Sequence, residues 1–166
     1  MSDNIKIIDN FLTKELFQRI KHVCIYSAEF PWYYNESVVY DEKILGNYQF
    51  THIFYEKLIP RSNYFDMLHP VIDKLGVLSL IKIKANLVPR DKSVIEHGYH
   101  TDVPSQGDHK TAVLYLNTND GYTAFRDGSK ISSVENRIAI FNANLEHTGT
   151  GCTDQNCRVV INFNYY

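Results

Sequence analysis

The sequence predicts a mainly β fold of the α+β kind, with helices confined to the N-terminal half and a sandwich or eight-stranded jelly-roll barrel in the C-terminal half. Three observations carry this. The chain has 166 residues, the size of one compact unit. It holds twelve Tyr and nine Phe, residues that pack well on pleated, half-buried surfaces. After Leu80, helical spacing gives way to short alternating or β-branched runs separated by turn residues.

The elements follow in order. Ile5-Lys6-Ile7-Ile8 reads as a short strand. Thr13 is placed to cap a helix, with Glu15 in its first turn and Leu16, Phe17, Ile20, Val23 and Cys24 at the spacing of one apolar face. From Tyr26 to Tyr64 the pattern is irregular and aromatic, and a loop-rich cover is expected. Phe65, Leu68, Val71, Ile72 and Leu75 mark a second helix, bent near Pro70 and ended by Gly76. Strands are then expected at 80–88, 94–100, 111–117, 121–126, 130–134, 137–141, 146–149 and 157–165. One domain, 1–166, is expected, with 1–79 as helical support and cover and 80–166 as the jelly-roll core.

Composition narrows the partners. The net charge of −2 and the absence of a basic patch disfavour nucleic acid. Cys24, Cys152 and Cys157 have neither CxxC spacing nor an even count, which points to free thiols in a reducing, cytoplasmic setting. Met1 to Asn10 lacks the basic start and apolar run of a signal peptide, and no apolar stretch is long enough to span a membrane.

The chemistry gathers around His100-Thr101-Asp102. On a strand, positions i and i+2 share a face, so these two side chains would grip one cation. His147 follows 45 residues after Asp102 and completes two imidazoles and a carboxylate, a donor set suited to Fe(II) with open positions. Strand alternation would put His97 on the face opposite His100. Arg158 opens the apolar run to Tyr165 and needs an anionic partner, for which its planar fork suits a carboxylate. Alternation puts Arg158, Val160, Asn162 and Asn164 on one face, which should line a cavity, and Val159, Ile161, Phe163 and Tyr165 on the other.

In this order of motifs the sequence resembles the 2-oxoglutarate and Fe(II)-dependent dioxygenases, within them the prolyl 4-hydroxylase-like branch. Thr111 to Asn117 resembles the branch's "T…YLN" strand, Gly121 to Phe125 its "GGxTxF" strand with Tyr122 in place of the second Gly, and Asn136 to Phe141 the strand before the distal histidine. Ile7 to Ile20 resembles the opening "IxDNFL" segment. The resemblance implies a double-stranded β-helix (cupin-like) barrel with N-terminal helices packed on the major sheet.

It further implies Fe(II) on His100, Asp102 and His147, with 2-oxoglutarate and O2 as cosubstrates. Arg158 and the Tyr115 hydroxyl would hold the distal carboxylate of 2-oxoglutarate, and Asn162 and Asn86 would face the cosubstrate near the metal. The implied reaction is hydroxylation of an unactivated C–H in a peptide or protein, such as at proline. A free amino acid or small metabolite is the alternative substrate, and a non-catalytic metal-binding sensor is the alternative to an enzyme. Residues 26–64 and 103–110 are candidate covers of the site. The sequence leaves the oligomeric state open.

Overall fold

The computed structural model describes residues 5–38, 47–102 and 107–166. Among them lie eleven strands in two antiparallel sheets and two short α-helices. The chain opens with β1 (Ile5–Ile8) and α1 (Lys14–Lys21), where the Thr13 hydroxyl accepts from the Leu16 amide as the cap the sequence predicts. One π-helical turn, His22–Tyr26, follows. Next come β2 (Tyr33–Asn35), β3 (Gln49–Glu56) and β4 (Ile59–Pro60). The second predicted helix is a 3-10 turn, Phe65–Leu68, continuing into α2 (His69–Leu75). Pro70 sits in its first turn, where a missing N–H costs nothing, and Gly76 ends it in the left-handed conformation at φ 67°.

The remaining strands are β5 (Leu80–Pro89), β6 (Lys110–Tyr115), β7 (Tyr122–Phe125), β8 (Lys130–Ser132), β9 (Ile138–Asn142), β10 (His147–Gly149) and β11 (Cys157–Tyr165). The major sheet runs β1-β9-β6-β11-β5-β3-β2, with β4 paired to β3; the minor sheet runs β10-β7-β8. The 94–100 segment is a correction to the sequence reading. It is irregular and meets β10 and its continuation through isolated bridges, Glu96 with Thr150 and His100 with His147, with the Thr148 hydroxyl donating to the His97 carbonyl at 2.8 Å. The expected cover over 26–64 supplies strands β2 to β4 at the edge of the major sheet, while 39–46 lie outside the described residues.

Alternation along β11 separates two apolar clusters. Val159, Ile161, Phe163 and Tyr165 join Ile83, Ala85, Leu114 and Ile138, together with Phe17, Ile20, Phe65, Leu68 and Val71 from the helical segments. The opposite face of the sheet meets the minor sheet through Val113, Tyr115, Ala139, Phe141 and Val160 against Phe125 and Ile131. Burying such side chains contributes about 1.5–3 kcal/mol each. The inner face is therefore apolar over β6 and β9. Over β11 and β5 it turns polar, and a cavity opens there.

Candidate metal centre and anion pocket

A cavity open to solvent lies between the sheets, with about 560 Å³ of empty space including the solvent at its mouth. Its floor is the inner row of β11 (Arg158, Val160, Asn162) and of β5 (Lys84, Asn86, Val88), with Val113 beside them. His147, Gly149 and Thr123 come from the minor sheet, and His97, His100 and Asp102 from the irregular segment.

His100, Asp102 and His147 each offer one ligand atom within 4.8 Å of the others, despite the absence of the expected strand. His100 Nε2 stands 3.7 Å from Asp102 Oδ1, and His147 Nε2 is 3.7 Å from Asp102 Oδ2. Each Nδ1 faces a carbonyl that can only accept, Gly98 O at 3.2 Å and Leu145 O at 2.9 Å. In the neutral rings Nδ1 is therefore the donor, and each Nε2 turns a lone pair toward the common point. His100 and His147 also exchange two backbone hydrogen bonds of 3.0 Å, and Phe141 packs edge-on against His147 at 4.9 Å.

Electrostatics support cation binding. Burial pushes the Asp102 carboxyl up, but His100, His147 and the Asn164 amide outweigh it and hold the group well below the usual carboxylate range. Burial lowers His147. Burial also opposes charge on His100, yet the adjacent Asp102 leaves that ring raised. A buried, ionised carboxylate between two imidazoles, with open space in front, can take a divalent ion.

Arg158 lies at the other end of the floor and is only 4% exposed. Its Nε donates to Ser133 Oγ (2.7 Å), Nη2 to Thr123 Oγ1 (3.2 Å) and Nη1 to the Thr150 carbonyl (3.4 Å). All of these acceptors are neutral, and no carboxylate pairs with it among the described residues. Burial pushes the guanidinium down, yet arginine stays charged, so an anion is wanted here.

The other candidates divide. Asn86 and Asn162 line the cavity, and Asn162 Oδ1 is buried with no hydrogen-bond partner, as a site awaiting a ligand or water would leave it. Tyr115 is fully buried outside the cavity lining; its hydroxyl donates to Thr123 Oγ1 at 2.8 Å, and Arg158 lies over its ring at 5.5 Å. Its link to the pocket thus runs through Thr123. Of the 103–110 segment, 103–106 lie outside the described residues.

Several contributors escaped the sequence reading. His97 lines the same cavity as His100, because face alternation does not apply off a strand. Both its ring nitrogens are buried without partners. Asn164 holds Asp102, and Thr123 serves both Tyr115 and Arg158. Asn164 was legible as a member of the polar row on β11. Thr123 was legible as a member of the Gly121 to Phe125 motif but not as a partner of Arg158, and Lys84 showed only as a residue on the solvated face of a strand.

No family model matches the sequence, and no curated protein matches it either. Solved structures do match over nearly the whole chain. A 2OG-Fe(II) oxygenase family oxidoreductase from Burkholderia pseudomallei superposes with a TM-score of 0.74 at 12% identity, covering 99% of this chain and 85% of that one. A Trichoplax adhaerens prolyl hydroxylase, solved with a hypoxia inducible factor peptide fragment, gives 0.69 at 12% identity, covering 99% and 84%. The non-heme alpha ketoglutarate dependent epimerase SnoN from nogalamycin biosynthesis gives 0.67 at 13% identity, covering 99% and 78%. Among the described residues no helix is long and apolar enough to cross a membrane. The chain thus has the fold of the 2OG-Fe(II) oxygenases, with a His-Asp-His cluster and a buried arginine facing one cavity between its sheets.

Proposed function

We propose that residues 1–166 act as one Fe(II)- and 2-oxoglutarate-dependent dioxygenase domain, with Fe(II) on His100, Asp102 and His147. The observation that carries this reading is Arg158. A buried guanidinium with only neutral partners, facing the same cavity as a ready metal cluster, fits a ligand that bridges the two with a carboxylate at one end. A bare metal-binding sensor has no use for it.

Each residue then has a task. Arg158 holds the distal carboxylate of 2-oxoglutarate, with Thr123 and, behind it, Tyr115 fixing the guanidinium and the polar edge of that end. Asn162 and Asn86 present polar atoms to the cosubstrate or to water beside the metal. Fe(II) with 2-oxoglutarate and O2 supplies the oxidising power to hydroxylate an unactivated C–H, with release of succinate and CO2. The chain contributes orientation and a partly closed cavity that limits side reactions.

A peptidyl residue such as proline is the leading substrate, supported by the fold shared with a prolyl hydroxylase solved on a peptide. A free amino acid or small metabolite is the second reading, supported by the partly enclosed cavity and by Lys84 in its wall, which has no ion-pair partner among the described residues. Anaerobic titration with Fe(II) and 2-oxoglutarate tests the cofactor reading. A weak visible charge-transfer band, followed by succinate on exposure to O2, is expected; no band would overturn it. A panel of peptides and amino acids, read by the mass gain of one oxygen atom, tests the substrate.

A further inference from the structure

Among the described residues two cationic side chains, Arg158 and Lys84, face the cavity, and the proposed dioxygenase reaction uses only one. Arg158 stands opposite Val88 in the β11–β5 pairing, and Lys84 stands opposite Asn162. Four residues of strand, roughly 13 Å, separate the two positions. Arg158 is tied to Ser133 and Thr123, whereas Lys84 makes no hydrogen bond or ion pair among the described residues. Its neighbour on the same face, Lys82, is paired with Glu56 at 2.6 Å. Burial presses Lys84 toward its neutral form, and Asp102 is the first of the charges opposing this.

Counting charge sharpens the point. A divalent ion on the triad commits Asp102 and leaves one net positive charge there. Lys84 and Arg158 raise this to three, and the 2-oxoglutarate dianion removes two. Among the described residues one positive charge remains, and it falls to Lys84, toward the Asp102 end. An uncompensated, half-buried ammonium there is costly unless the next molecule to enter is an anion. Asn162, across the strand pair, adds an unpartnered acceptor to the same wall.

Resting on the dioxygenase reading, we propose that Lys84 is the specificity residue for a carboxylate-bearing substrate, whose carboxylate it seats beside the oxidised carbon. The carboxylate can belong to a free amino acid or to an acidic or C-terminal residue of a peptide. Matched pairs separate these sources: L-proline and L-prolinamide, L-leucine and L-leucinamide, and the peptides Gly-Pro-Asp and Gly-Pro-Asn as their C-terminal amides.

The test loads the protein with Fe(II) and 2-oxoglutarate under nitrogen and follows the shift of the visible band as each compound is added. In at least one pair the carboxylate should bind tenfold or more tightly than its amide. That preference should collapse to within twofold in Lys84→Met and persist in Lys84→Arg, with 2-oxoglutarate affinity changed less than twofold. Equal binding of carboxylate and amide, no binding by any carboxylate, or a preference that survives Lys84→Met would each overturn the assignment. Calorimetry of the same pairs on Zn(II)-loaded protein reads Lys84 without oxygenase chemistry. A missing visible band would sink the dioxygenase reading, while a missing preference would sink only Lys84's role.

Discussion

Asn164, near the end of β11, donates through Nδ2 to Asp102 Oδ2 at 3.1 Å, and Thr111 donates to the same oxygen at 3.1 Å. The carboxylate is thereby aimed by the major sheet, since its own segment has no strand to fix it. Loss of such a support typically weakens metal binding 10–100-fold. Asn164→Ala is expected to lower Co(II) or Fe(II) affinity by about that factor, read by calorimetry, with the fold kept by circular dichroism.

Arg158→Met should separate stability from ligand binding. The buried guanidinium has no acidic partner among the described residues, so its removal should leave the ligand-free protein as stable or more so. Wild type should gain about 2.7 kcal/mol from 2-oxoglutarate at a hundred times its Kd, and the variant should gain none. Denaturant melts of the Zn(II)-loaded protein, with and without 2-oxoglutarate, check both.

Tyr115 and Thr123 should behave as one unit. The Tyr115 hydroxyl reaches Thr123, and Thr123 also accepts from Arg158. Tyr115→Phe is expected to cost about 1 kcal/mol of stability. It should weaken 2-oxoglutarate no more than Thr123→Val does. A larger loss from Tyr115→Phe alone would argue for direct contact between the phenol and the ligand.

At Gly121 a side chain has no room. A Cβ there would lie 2.4 Å from the Gly151 carbonyl and 2.7 Å from Arg158 Cδ. Gly121→Ala must displace the Gly151 carbonyl and the Arg158 side chain, so stability should fall by about 1–3 kcal/mol. The Kd for 2-oxoglutarate should rise as well, while Co(II) affinity stays near wild type.

His97 gives the fold an acid-sensitive point. Burial first, then the charge of Arg158, lowers its pKa from 6.5 to about 4. The unfolded chain therefore binds the proton first, and stability falls as pH drops from about 6.5 toward about 4. Below that both states are protonated, and the loss is complete. At about 1.4 kcal/mol per unit, the loss is up to about 3 kcal/mol. Melts of metal-free wild type and His97→Gln from pH 7 to pH 4 should converge as the wild type weakens.

The sequence carried the alternating part of the fold well. Seven of the eight strand segments expected after Leu80 are strands, and β11 sorts its side chains as alternation requires. The triad was legible because metal chemistry demands a narrow set of donors. The face each side chain takes was not, because His97 to Asp102 hang on isolated bridges rather than a ladder. β3 was missed because two of its buried positions, Gln49 and His52, are polar, so its inward face does not read as an apolar row. Its buried His52, bonded to the Pro31 carbonyl and Ser62, shows how neighbours satisfy such a strand. Lys84, beside Lys82, reads in sequence as the solvated face of a strand, and its place in the cavity wall shows only when its surroundings are visible.

His100 and His147 are laced to each other on the minor-sheet side, while Asp102 is anchored by Asn164 and Thr111 on the major sheet. The three ligand atoms therefore straddle a seam that, among the described residues, no strand ladder crosses, and that Tyr115 and Arg158 bridge at Thr123. An ion seated among them acts as a clasp, adding the cross-tie that the backbone leaves out. Metal uptake at the proposed centre would then stiffen the lip of the barrel as well as arm it.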